Sequence, residues 1–147
     1  MTYDEQLEQA EKTNQVYLDE FKEYLLSMGD EYVEDRVDDM DLYLNHYINY
    51  EDWTSAEEGV FKPGMFFGWF LIRKVMGIGL AEAYRMSRSW KLFYGMMAGR
   101  GRVKKEDYEY MCEGIDENME RWLFEMQAWL YGSDEEDDGL SDDELLW

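Results

Sequence analysis

From Lys104 onward the chain holds one apolar phase for about six turns: Tyr108, Met111, Ile115, Met119, Trp122, Met126 and Trp129 recur at steps of three and four residues. Only an α-helix buries that period on one face. The spacing predicts a helix over 105–131, weakened at Gly114, where a residue without a side chain interrupts it. No alternating apolar and polar run of strand length appears anywhere in the sequence, and no repeat of solenoid period. The chain therefore has to bury its apolar surface with helices alone.

Four more helices follow from the same reading. Thr2 and Glu5 have capping-box spacing, and Leu7, Ala10, Tyr17, Phe21, Tyr24, Leu25 and Met28 continue in phase until Gly29. With Asp30 as the expected cap, Val33, Val37, Met40, Leu44, Tyr47 and Ile48 give a second helix over roughly 31–49. Residues 52–59 carry turn formers without a period. Pro63 suits the first position of a third helix, over about 64–76, because its missing N–H costs nothing there. That helix is apolar nearly all round, so it belongs in the middle of the bundle, with Phe66, Trp69, Phe70, Trp90, Phe93 and Trp122 buried together. A fourth helix over 81–98 lines up Ala83, Met86, Trp90, Phe93, Tyr94 and Met97, puts Arg85 and Arg88 on the opposite face, and stops at Gly99 and Gly101. The expectation is an all-α, single-domain bundle of about five helices over 1–131, followed by an acidic tail over 132–147 too poor in apolar residues to pack, hence disordered.

Charge divides the same chain into three blocks. Residues 1–60 hold 18 acids against Lys12, Lys22 and Arg36, and residues 106–147 hold 16 acids against Arg121, so each flank carries −15. Between them, residues 61–105 hold ten bases and one acid, Glu82, a net of +9 within a total of −21. At physiological salt charges are screened beyond ~8 Å, so a ligand senses the local patch before the distant total. Either the basic centre is an open surface for an anion, or the acidic flanks fold over it and neutralise it.

Sites for chemistry are sparse. The segment from Asp134 to Leu145 nearly spells a calcium loop, with Asp134, Glu136, Asp138, Gly139 and Asp142 in place, but Leu145 stands where a bidentate carboxylate is needed. His46 is the sole imidazole and has no second metal ligand or nucleophile at helical spacing. Cys112 is the sole cysteine, which excludes an internal disulfide, and it falls beside the core face without a base to activate it. Gly95, Gly99 and Gly101 leave a helix rather than enter one, so they form no phosphate loop. Arg73 and Lys74 break the longest apolar stretch, Met65 to Ala83, at ~3 kcal/mol each at a bilayer centre. The sequence thus reads as a non-enzymatic, cofactor-free, cytoplasmic protein that does not span a membrane.

Phe21, Tyr24, Leu25 and Gly29, at the end of the first helix, match a Phe-x-x-Tyr-Leu-x-x-x-Gly pattern, and Trp90, Phe93, Tyr94, Met97, Gly101 and Val103 match a later aromatic and glycine pattern. Over about residues 17–104 the chain resembles the core-binding, or SAM-like N-terminal, domain of tyrosine recombinases and phage integrases. The resemblance implies a helical domain that forms half of a clamp on duplex DNA. It departs from the family at the second helix, where Asp30 and Glu31 replace a Ser-x-x-Thr that could bind phosphate, and after Lys104, where a further helix replaces the link to a catalytic domain.

Two functions stay open on this reading. The first, which the resemblance favours, is non-enzymatic binding of duplex DNA through Arg73, Lys74, Arg85, Arg88, Lys91, Arg100, Arg102, Lys104 and Lys105. The second is an acidic interaction module whose flanks engage a basic protein partner, in the extreme as a mimic of nucleic acid. Met126, Trp129 and Leu130 add an apolar surface at the end of the last helix, open to a partner if the bundle leaves it uncovered.

Overall fold

The computed structural model describes residues 2–52, 54–75 and 78–131, and every regular element among them is helical. The expected tail over 132–147, with its near-match to a calcium loop, lies outside the described residues. Helix α1 spans Tyr3–Ser27, and α2 spans Val33–Asp41 and runs on through wide π turns over Leu42–Asp52. A short 3₁₀ turn over Glu58–Phe61 leads to α3, which opens at Pro63–Met65, widens into a π turn over Phe66–Phe70 and finishes at Leu71–Lys74. Helix α4 covers Leu80–Gly99 and α5 covers Lys105–Tyr131.

The helix ends follow local chemistry. At α1, Thr2 Oγ1 accepts from the Glu5 N–H and Glu5 Oε1 accepts from the Thr2 N–H, closing the capping box. Pro63 stands at the first position of α3. Glu82, the one acid of the basic block, sits in the first turn of α4 and accepts from the Gly79 N–H at 3.0 Å, where a carboxylate also faces the positive end of the helix. Gly29 and Gly101 follow α1 and α4 with φ of 74° and 76°, the left-handed conformation that glycine reaches without strain. Asp30 does not cap α2: the helix begins later, at Val33, so the carboxylate instead accepts from the Tyr32 N–H and from Arg36 Nε, pinning the loop before the helix.

The core is aromatic and centres on α3. Phe66, Phe67, Phe70, Leu71 and Ile72 are buried from several sides, as an all-round apolar helix requires. Trp90 of α4 is fully buried, with ring centroids 4.1 Å from Tyr43, 5.8 Å from Phe66 and 5.4 Å from Phe67. Phe67 stacks on Trp122 of α5 at 5.4 Å, and Phe93 meets Phe21 edge-on at 5.3 Å. Trp69 departs from expectation: it is half-buried at the rim, with the Arg73 and Lys74 cations over its ring.

The π turns after Asp41 change which side chains face inward. Tyr43 and Asn49 are buried beside the expected Leu44, Tyr47 and Ile48. Tyr43 Oη donates to the Gly59 carbonyl at 2.7 Å and Tyr94 Oη to the Ala56 carbonyl at 2.8 Å, fastening the connection to α3 onto the core. Asn14, buried in α1, donates to the Leu44 carbonyl at 3.3 Å and to Asn45 Oδ1 at 2.9 Å, while Asn45 donates to Asp41 at 2.7 Å. A polar group buried in this way sets the register of two helices, because slippage would leave it without partners.

Candidate functional site

Among the nine candidate DNA-binding bases, Arg85, Lys91, Arg100 and Arg102 are paired with carboxylates of the flanks. Arg85, expected beside Arg88 on the outer face of α4, lies half-buried against α2: Nη2 donates to Asp39 Oδ1 at 2.7 Å and Nε to Oδ2 at 3.1 Å. Its position is set by the packing of α4 on α2, which brings the first turns of α4 over Asp39. Ser89 Oγ donates to the same carboxylate at 2.7 Å, so a side chain only 2% exposed carries three hydrogen bonds. The hydrogen bonds to Asp39, helped by its charge, in turn raise the affinity of Arg85 for its proton above the ordinary guanidinium value.

Lys91 pairs with Asp116 of α5. Arg100 and Arg102, in the turn between α4 and α5, both reach Glu20 of α1, with Arg100 Nη1 at 2.9 Å and Arg102 Nη2 at 3.1 Å. Those hydrogen bonds, from Arg102 first, hold the Glu20 carboxyl below its ordinary range. The Arg102 guanidinium also lies over the Tyr17 ring at 4.9 Å. Tyr17 Oη donates to Glu57 Oε2 at 2.6 Å, and that bond to a carboxylate pushes the phenol up to about 12.

The other five bases lie elsewhere on the surface of the bundle. Arg73 packs its guanidinium over Trp129 at 4.7 Å, and Lys74 lies over Trp69 at 5.4 Å. Arg88, Lys104 and Lys105 are exposed, and none has an ion pair among the described residues. Arg88 shares a shallow cleft of about 310 Å³ with Arg36, Arg85, Tyr32 and Tyr84. Arg36 was hidden in the sequence by the acids around it. It pairs with Asp30 at 2.9 Å and lies over the Tyr32 ring at 5.5 Å, and its spacing from those two residues, six and four along the chain, is the signal that was available.

The acids of α5 tell the opposite story. Glu106, Glu109, Glu113, Glu117 and Glu120 recur at three- and four-residue steps, are all exposed, and have no ion pair among the described residues. Beside them a groove of about 380 Å³ runs between α5 and the Val60–Gly64 turn. His46 is exposed, with Nε2 3.6 Å from Asp41, and is not among the residues that line this groove. Cys112 is half-buried, and burial pushes its thiol up, the opposite of what activates a nucleophile. Among the described residues no group of three or more His, Cys, Asp or Glu side chains is placed to hold a metal ion, and no helix is long and apolar enough to cross a membrane.

No protein-family model, no curated protein and no solved structure matches this chain.

Proposed function

We propose that this chain is an acidic helical module that engages a basic protein partner. One observation carries the reading: intramolecular pairing draws Arg85, Lys91, Arg100 and Arg102 onto the flanks, while the five-glutamate stripe of α5 has no base paired to it among the described residues. Like charges at i, i+4 on a helix destabilise it by ~0.2–0.5 kcal/mol a pair. A cationic partner would relieve that repulsion and gain Coulomb attraction at the same surface. The test is titration of the chain with a synthetic oligo-arginine peptide and, separately, with random duplex DNA, each at low and physiological salt. The reading expects salt-sensitive binding of the peptide and no retention of the duplex. Duplex retention without peptide binding overturns it.

A second reading, duplex binding by a core-binding-like domain, is favoured by the exposure of Arg88, Lys104 and Lys105. Its magnitude is limited. Three phosphate contacts weaken only about 40-fold between 50 and 200 mM salt, whereas typical binders make ~6–10 contacts and lose ~10³–10⁵-fold. The salt slope of any duplex binding therefore counts how many of the nine bases take part.

A further inference from the structure

We infer that the groove between α5 and the Val60–Gly64 turn is the docking site for a lysine- or arginine-bearing segment of that partner. The inference rests on the proposed function and adds to it a place and a mode of contact. Phe61 and Tyr110, on opposite walls, are 58% and 75% exposed, a cost in apolar surface that nothing among the described residues recovers. Glu113 and Glu117 line the same groove one helical turn apart, and neither has an ion pair among the described residues. Aromatic walls with carboxylates beside them suit a side chain that combines an aliphatic stem with a cationic head: the stem packs on the rings and the head meets the glutamates.

Two further features point to an occupant. Gly114 lies in the groove wall in the middle of α5, where glycine costs a helix ~0.5–1 kcal/mol relative to alanine. A Cβ at that position would meet nothing within 4 Å, so packing does not demand the glycine; its absence of a side chain leaves the groove open. Trp122, also lining the groove, is 2% exposed, and its indole N–H has no acceptor among the described residues. A volume of about 380 Å³ takes one or two side chains rather than a folded surface, so the occupant is an extended segment. The paired carboxylates exclude a nucleic-acid strand by charge, and two of them fall short of a cation cage.

The experiment compares oligo-arginine binding by the full chain and by three variants, each checked for helix content. Gly114→Leu blocks the groove without altering charge, in open space that accepts the larger side chain. The pair Glu113→Gln and Glu117→Gln removes two charges inside the groove, and the pair Glu8→Gln and Glu11→Gln removes two exposed charges on α1. The inference expects roughly tenfold weaker binding for the first two and less than twofold for the third. Should Gly114→Leu fail to fold, Tyr110→Ala takes its place, since that exposed ring supports no core contact. Equal weakening by both charge pairs, with no effect of the blocking variant, overturns the groove while leaving the acidic-module reading intact. Absence of peptide binding by the unaltered chain at low salt overturns both, and marks the module itself as the failure.

Discussion

Removing Arg85 should destabilise this protein more than removing any other base of the central block. Its guanidinium gives two hydrogen bonds, at 2.7 and 3.1 Å, to an Asp39 carboxylate that is 2% exposed. In Arg85→Ala that carboxylate keeps only the Ser89 hydroxyl at 2.7 Å. Breaking a buried pair by deleting one partner costs ~3–5 kcal/mol, because the remaining charge stays desolvated. Arg85 itself is 35% exposed, so water enters the vacated space and the lower end, about 3 kcal/mol, applies. At ~2–4 °C per kcal/mol for a chain of this size, the melting temperature should fall by roughly 6–12 °C. Arg88→Ala, one turn away and exposed, should change it by no more than ~1–2 °C. Adding Asp39→Asn to Arg85→Ala should recover part of the loss, since a neutral amide is cheaper to bury, and the double-mutant cycle reads the coupling directly. Thermal unfolding followed by circular dichroism measures all four proteins. An Arg85→Ala melting temperature within a degree of the unaltered chain would refute the claim that Asp39 depends on this base. The same packing predicts that Arg85→Glu with Arg88→Glu lowers stability without altering duplex retention.

Trp90→Ala should cost ~3–5 kcal/mol in denaturant unfolding, because the fully buried ring packs against Tyr43, Phe66, Phe67 and Tyr94 and no neighbour can fill the void. Glu20→Gln should lower the melting temperature by a few degrees at pH 7. Its folded pKa is depressed below 4.5, so that stabilisation is present above 4.5 and vanishes as pH falls through the lower folded value, where the two proteins should converge. Glu125 has the opposite sign: burial raises its carboxyl above 4.5, so ionisation opposes folding as pH rises through that value. Glu125→Gln should therefore raise the melting temperature at pH 7 and leave it nearly unchanged at pH 4, which a pair of melts at the two pH values checks.

The local elements were legible in the sequence. Apolar period placed α5 over 105–131, the Thr2 and Glu5 pair announced the first cap, and Pro63 marked the start of α3, because each signal lies within one or two turns of chain. The all-round apolar character of α3 likewise put it at the centre, although Trp69 stayed at the rim, where Arg73 and Lys74 lie over its ring. The wide turns over Leu42–Asp52 were not legible. Tyr43 and Asn49 turn inward there in a period slightly longer than the α-helical one, and short apolar runs do not distinguish the two.

Charge counts showed a basic block between acidic flanks, and left open whether the block was bare or covered. Tertiary packing decided that, base by base. Arg85 finds Asp39 across 46 residues, Arg100 finds Glu20 across 80, and Arg102 finds the same glutamate across 82. An ion pair acts over a few ångströms, whereas the sequence orders charges only along the chain, so their partners depend on which helices become neighbours. The groove has the same origin: Phe61 and Tyr110 belong to distant segments, and only the docking of the Val60–Gly64 turn on α5 sets their rings around Glu113 and Glu117.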